Sequence, residues 1–226
     1  MPVLDRSQLL GSTLDAAERL IGARLVRDDE TGRRTGRIVE VEAYVGEEDR
    51  ASHARFGETL RNRVMFGPPG RAYVYLVYGM YDCLNVVTEP DGVPAAVLIR
   101  AVAPTEGVER MRVDRVIASA RRRRARTPAQ VAEAAERIAG LPADRIASGP
   151  GLVGASFGID TRWTGLDLCD PASALRLEER PVSEAPPVVR STPRIGIAFA
   201  GPPWVRRPWR FVEVGHPSAS GPGSRR

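Results

Sequence analysis

Gly36-Arg-Ile-Val-Glu-Val-Glu-Ala-Tyr-Val45 alternates at strand period, placing Val39, Val41, Ala43 and Val45 on one side and Glu40, Glu42 and Tyr44 on the other. Two carboxylates and an aromatic ring therefore share a face. A half-buried strand ordinarily turns such a face to water, and Glu40 is expected at the surface. Upstream, Leu25-Val26 begins a neighbouring strand, with Glu30-Thr-Gly-Arg as the turn between them. Ahead of that, Ser12-Thr-Leu-Asp opens a short amphipathic helix that Gly22 ends. Downstream, residues 46–72 lack periodicity and are punctuated by glycine and proline. Long irregular segments in compact domains are functional or disordered, and Phe56, Met65 and Phe66 predict that this one packs. Tyr73-Val-Tyr-Leu-Val-Tyr78 is a strand rich in aromatic and β-branched residues, broken by Gly79 and resumed from Asp82 to Thr88. Tyr73 and Tyr75 point one way and Tyr78 the other. Pro90-Asp-Gly-Val turns the chain into Ala95–Val102, an apolar strand interrupted only by Arg100.

Four strands so close in sequence predict a mainly antiparallel, curved sheet in an α+β fold. Helices follow, from Thr105 to Ser119 and from the Thr127-Pro-Ala-Gln capping box to Gly140, with a shorter one from Ser148-Gly-Pro-Gly to near Gly158. Between the first two lies Arg121-Arg-Arg-Arg-Ala-Arg126, a solvated run offering at most nonspecific attraction to phosphate. Ala174–Leu177, Pro193–Phe199 and Trp209–Val214 are expected as strands returning to the sheet. From Pro217 onward the Ser/Gly/Pro/Arg composition predicts a disordered tail. The expected organisation is one domain over residues 1–216 and a tail over 217–226.

Composition narrows the chemistry. The chain of 226 residues contains no lysine, so all 33 basic residues are arginine and a Schiff base through a side-chain amine is unavailable. The α-amine of Pro2, if Met1 were removed, is the one alternative. Net charge +5 and a pI near 9.8 fit a polyanionic partner, and equally a preference for arginine codons. Cys83 and Cys169 with His53 and His216 cannot form a zinc site or a disulfide framework, and no cofactor is expected. No apolar run approaches the roughly 20 residues of a membrane span, and Met1-Pro-Val-Leu-Asp-Arg lacks signal-peptide character. A cytoplasmic protein is expected.

Several strands thus contribute polar or aromatic groups to a potential pocket: a carboxylate, Glu40 or Glu42, with Tyr44, then Tyr75 and Tyr78, Asn85, and Arg100, with His53 in the connecting loop. Arg100 is the sharpest anomaly, because a charge within an apolar strand demands a partner. Glu-Val-Glu-Ala-Tyr44, Asp49-Arg-Ala-Ser-His53, Arg61-Asn-Arg-Val-Met-Phe66, Tyr73-Val-Tyr-Leu-Val-Tyr-Gly-Met-Tyr81 with Asn85, and Val97-Leu-Ile-Arg100 together resemble the alkyladenine (3-methyladenine) DNA glycosylase family. Ser148-Gly-Pro-Gly-Leu and Pro193-Arg-Ile-Gly-Ile match its C-terminal half less tightly, and the similarity runs from about Leu9 to Val214.

The resemblance implies a monomeric enzyme that binds double-stranded DNA with damaged purines and cuts the base from the sugar, removing 3-methyladenine and often hypoxanthine. By position it implies Glu42 as general base and Arg100 as a partner in holding the attacking water. Tyr44, His53 and Tyr75 would wall the base pocket. Asn85 would discriminate against the guanine amino group, and Tyr78 would fill the gap left in the base stack. Two departures stand out: the 112–147 segment is expanded and arginine-rich, and Gly215-His-Pro-Ser-Ala-Ser lacks the family's usual closing residues, which predicts a looser C-terminal edge. A noncatalytic protein that flips and binds damaged bases would keep the tyrosine wall without depending on Glu42. A lyase using the Pro2 amine would be revealed by borohydride trapping to DNA.

Overall fold

The computed structural model describes residues 1–121 and 127–220. Eight strands are present among them: β1 (Arg24–Arg27), β2 (Arg34–Val45), β3 (Ala72–Val77), β4 (Tyr81–Val87), β5 (Ala95–Glu106), β6 (Leu175–Glu178), β7 (Val189–Thr192) and β8 (Arg210–Glu213). All pair antiparallel, in the order β3-β4-β5-β2-β1-β6. The long β2 organises the sheet. One edge pairs along its length with β5, while the other is shared between β1 at Arg34–Arg37 and β8 at Glu40–Glu42. Because β8 and its partner β7 leave the main path there, the sheet curls instead of extending flat.

Four α-helices flank it: α1 (Thr13–Leu20), α2 (Val108–Ala120), α3 (Pro128–Ala139) and α4 (Pro150–Ser156). Ser12 caps α1, accepting from the Asp15 amide, and turns Ala16, Ala17 and Leu20 into the core. The Thr127 capping box forms in full, with proline at the first turn of α3. Helix α4 lies against β4 and β5. Its approach requires glycine, since a methyl group at Gly154 would collide with the Asp82 carbonyl. The main core fills the space between helices and sheet with Leu20, Leu25, Ile38, Val41, Leu84, Val97, Ile99, Met111 and Phe157. No helix of the described residues is long and apolar enough to cross a membrane.

Three expectations need correction. Pro193–Phe199 is not a strand: β7 stops at Thr192 and the chain continues as a loop into a 3-10 turn at Ala198–Ala200. Against the expected looser C-terminal edge, Ser218 and Ala219 are buried and the Ala219 amide donates to the His216 carbonyl. The C-terminal edge is therefore tied down through Ser220. Third, the irregular segment packs through Met65, which is buried, while Phe56 is 81% exposed. Of the arginine run, only Arg121 falls within the described residues.

Candidate active site

The face shared by Glu40, Glu42 and Tyr44 turns inward, and both carboxylates are fully buried. The surface position expected of Glu40 is overturned, for an electrostatic reason. Its Oε1 accepts from Arg100 Nε at 2.8 Å and from Arg210 Nε at 2.7 Å, and its Oε2 accepts from the Ser220 amide. Two guanidinium groups and a backbone donor replace the water it would otherwise keep. Irregular pairing between β2 and β5 helps to place the arginine: Glu40 pairs with Ala101 and Val41 with Ile99, leaving Arg100 without a paired residue opposite. Such irregularities re-aim side chains.

Glu42 is held at both oxygens. Its Oε1 accepts from the Ile195 amide at 2.7 Å, and its Oε2 accepts from the Tyr44 hydroxyl at 2.9 Å and lies 3.2 Å from Arg100 Nη1. Burial and then the Glu42 charge push the Tyr44 hydroxyl well up, so it keeps its proton and donates. Burial opposes the charge on Arg100, but the Glu42 and Glu40 carboxylates outweigh it and raise its pKa.

A cavity of about 250 Å³ opens beside this cluster, lined by Tyr44, His53, Tyr73, Tyr75, Asn85 and Arg100 among others. Small-molecule pockets run from about 300 Å³ upward, so this one suits a single flat ring system. His53 meets the Tyr75 ring edge-on at 4.4 Å, and its Nδ1 lies 2.8 Å from the Tyr73 hydroxyl. Burial, then Arg61 and Arg55, pulls His53 down to about 4, so the imidazole is neutral at neutral pH. Burial also pushes the Tyr73 hydroxyl up to about 12 and raises that of Tyr75. Asn85 is buried, and its Nδ2 donates to the Tyr73 and Cys83 carbonyls at 3.0 and 3.2 Å. With both amide hydrogens so placed, Oδ1 is the polar atom left for the cavity.

Tyr78 sits at the cavity mouth on the β3–β4 turn, 82% exposed. Tyr78 and Gly79 have φ of 53° and 65°, and the Met80 amide donates to the Val77 carbonyl at 3.0 Å, the pattern of a tight hairpin turn. A tyrosine in that backbone region is uncommon. Of the residues that the resemblance put in the site, Tyr44, His53, Tyr75, Asn85 and Arg100 line the cavity, Tyr78 stands at its mouth, and Glu42 lies directly behind its wall.

Sequence reading missed the loop that adds Ile195, Gly196, Ile197 and Phe199 to the cavity lining. Its anchor is Arg194, fully buried at its side chain, which binds Asp49 through two nitrogens at 2.5 and 2.8 Å and donates to the Ala43 carbonyl at 2.8 Å. The same guanidinium lies 4.7 Å from the Tyr44 ring centre and 4.9 Å from that of Trp209. Tyr73 and Cys83, taken as plain sheet residues, also line the cavity. The available signal was the charge at Arg194, at the head of the apolar run Ile195–Ala200.

Residues 7–217 match the model of the methylpurine-DNA glycosylase family. A provisionally named 3-methyladenine DNA glycosylase of Methanocella arvoryzae is 46% identical over 220 residues, covering 97% of this chain and 96% of that protein. A protein of the same provisional name from Bacillus cereus is 40% identical over 214 residues, covering 93% and 95%. With the match spanning nearly the whole chain, the protein belongs to the methylpurine-DNA glycosylase family, enzymes of DNA repair whose substrate is DNA.

Proposed function

We propose that the protein, as a monomer, removes 3-methyladenine and related alkylated purines from duplex DNA by hydrolysing the bond between base and sugar, leaving an abasic site. The observation that carries this reading is a buried carboxylate, Glu42, against a ring-sized cavity walled by Tyr44, Tyr75 and His53. A base inside a duplex is inaccessible, so the nucleotide must rotate out at a cost of a few kcal/mol. Tyr78, exposed at the cavity mouth, enters the gap in the stack. Stacking on aromatic faces contributes about 1–3 kcal/mol per base, and a cationic alkylated purine gains further from π-rich walls.

In the chemical step a water oxygen bonds to the sugar C1′ as the bond from C1′ to the purine nitrogen breaks. Glu42 takes the water's proton, and the bonding electrons leave with the cationic base, which departs neutral. Arg100, 3.2 Å from Glu42 Oε2, helps to hold the water. Asn85 Oδ1 faces the base edge and discriminates against guanine. Hypoxanthine is neutral and needs an added proton to leave. His53, pulled to about 4, carries none at neutral pH, so it is not the donor of that proton. Without lysine, no side-chain amine is present to form an imine with the abasic sugar.

Duplexes carrying 3-methyladenine test the reading: wild type releases free base, and Glu42→Gln loses about 100-fold to 10,000-fold in single-turnover rate. Equal release by both would remove Glu42 from the mechanism. One observation favours a second reading, a noncatalytic damage-binding protein: both Glu42 oxygens already have protein partners. Tight binding of damaged duplexes with no turnover by wild type would select it.

A further inference from the structure

Glu40 has no part in the mechanism just described, yet it is completely buried and carries a full set of charged partners. We propose that Glu40 is a positioning residue that fixes how the Arg100 guanidinium is presented to Glu42 and to the base cavity. This rests on the reading of Glu42 and Arg100 given above.

The argument starts from the geometry of the guanidinium. Its Nε is taken by Glu40 at 2.8 Å, and Nη1 lies 3.2 Å from Glu42. Arg100 itself lines the cavity. Guanidinium and carboxylate prefer a two-pronged pairing through parallel N–H donors. Without Glu40, the guanidinium is free to reorient and offer its Nε–Nη2 edge to Glu42 in that way. Such a pair would bring a second donor onto the carboxylate that must accept the water's proton, and would turn the guanidinium from the cavity. By accepting from Nε, Glu40 fixes the plane of the guanidinium and so the side from which Nη1 reaches Glu42.

Glu40 is itself fixed from the far side. Arg210 Nε donates to the same Oε1 at 2.7 Å, the Ser220 amide donates to Oε2, and Arg210 Nη2 donates to the Ser220 carbonyl at 2.6 Å. Strand β8 and the segment after it thereby close a ring of contacts behind Arg100. Charge also balances, since Arg100 and Arg210 face Glu40 and Glu42. Removing one member of such a buried set leaves an uncompensated charge, so stability must be followed alongside activity.

The experiment uses the full chain with ¹⁵N-labelled arginine, the Arg100 Nε–H signal being assigned by its loss in Arg100→Ala. In wild type free of DNA, that proton is expected to exchange slowly and to show a contact with the Glu40 side chain. A fast-exchanging proton without that contact overturns the proposal before any variant at position 40 is made. In Glu40→Gln, and in Glu40→Asp, whose shorter arm keeps the charge but cannot reach both arginines, the signal is expected to shift and lose protection. Single-turnover excision should fall about 100-fold, the effect of displacing a reacting group by an ångström, with affinity for damaged duplex within about 3-fold of wild type. A folded variant with an unchanged signal and rate refutes the assignment, as does equal loss of rate and of affinity. Should wild type excise no alkylated purine, the proposed function fails while the Arg100 signal still decides the placement by Glu40.

Discussion

Glu40 and Glu42 stand two residues apart on one strand and both are buried, but their neighbours divide them. Glu42 meets two hydrogen-bond donors and one charged nitrogen at the cavity wall, whereas Glu40 faces two arginines and a backbone amide away from it. The choice of Glu42 over Glu40 rested on the family resemblance and not on the strand pattern, which put both on one face. The burial of Glu40 was not legible, because a polar strand face ordinarily means solvent and the decisive partner, Arg210, lies 170 residues further along the chain. His53 offers a test at this scale. Burial holds its folded-state pKa near 4, below the ordinary 6.5. Above about pH 6.5 folded and unfolded forms are both neutral, and stability from this group is intact. As pH falls below that, the unfolded chain takes up the proton first and stability is lost progressively toward pH 4. By surface area His53 is exposed, against the burial behind the lowered pKa, so solvent screening limits the effect on stability. An NMR titration of the imidazole is the direct measurement, and a midpoint at or above 6.5 would contradict the described environment.

Among the elements, the β3–β4 hairpin joins local backbone cost to function. Its register, from Ala72 with Val86 to Val77 with Tyr81, leaves Tyr78, Gly79 and Met80 at the tip. Placing a tyrosine at φ 53° costs about 1–2 kcal/mol relative to ordinary helical or extended backbone. Glycine accepts that geometry freely. Tyr78→Gly is therefore expected to leave the melting temperature unchanged or slightly higher while weakening binding to damaged duplex by about 1–3 kcal/mol, the worth of one stacked base. Calorimetric melting and fluorescence-anisotropy titration check the two halves. Unaltered affinity would remove Tyr78 from the DNA contact. The same scale exposes the misreading of Pro193–Phe199. Ile195, Ile197 and Phe199 alternate as a strand would, but their spacing turns them to the cavity, and the Ile195 amide is committed to Glu42 instead of a neighbouring strand. Period-two patterning identifies which residues share a face and does not say whether a ladder exists.

Across the whole molecule, the sheet brings together groups that the chain keeps apart. The antiparallel, curved sheet was legible from four strand patterns close in sequence, though not the order β3-β4-β5-β2, and the first and third helices from their caps. The contribution of the last quarter of the chain was far less so, because it docks by long-range side-chain pairs. The bond between Asp49 and Arg194 is the main example, joining residues 145 apart with both side chains fully buried. Replacing Asp49 by Asn leaves Arg194 without its counter-charge and is expected to cost about 3–5 kcal/mol of unfolding free energy. Chemical denaturation provides the measurement, and a change under about 1 kcal/mol, the worth of an exposed ion pair, would mean that the pair is not buried in solution.

The way that loop is attached bears on how the pocket can diversify. Ile195, Ile197 and Phe199 shape one side of the cavity from a segment outside the strands, while Glu42, Tyr75, Asn85 and Arg100 belong to the sheet. Exchanges at those three positions alter the width and depth offered to a base without disturbing any strand register. A combinatorial library confined to them, with Arg194 retained as the hinge pin, gives selection a way to retune lesion preference on an intact scaffold.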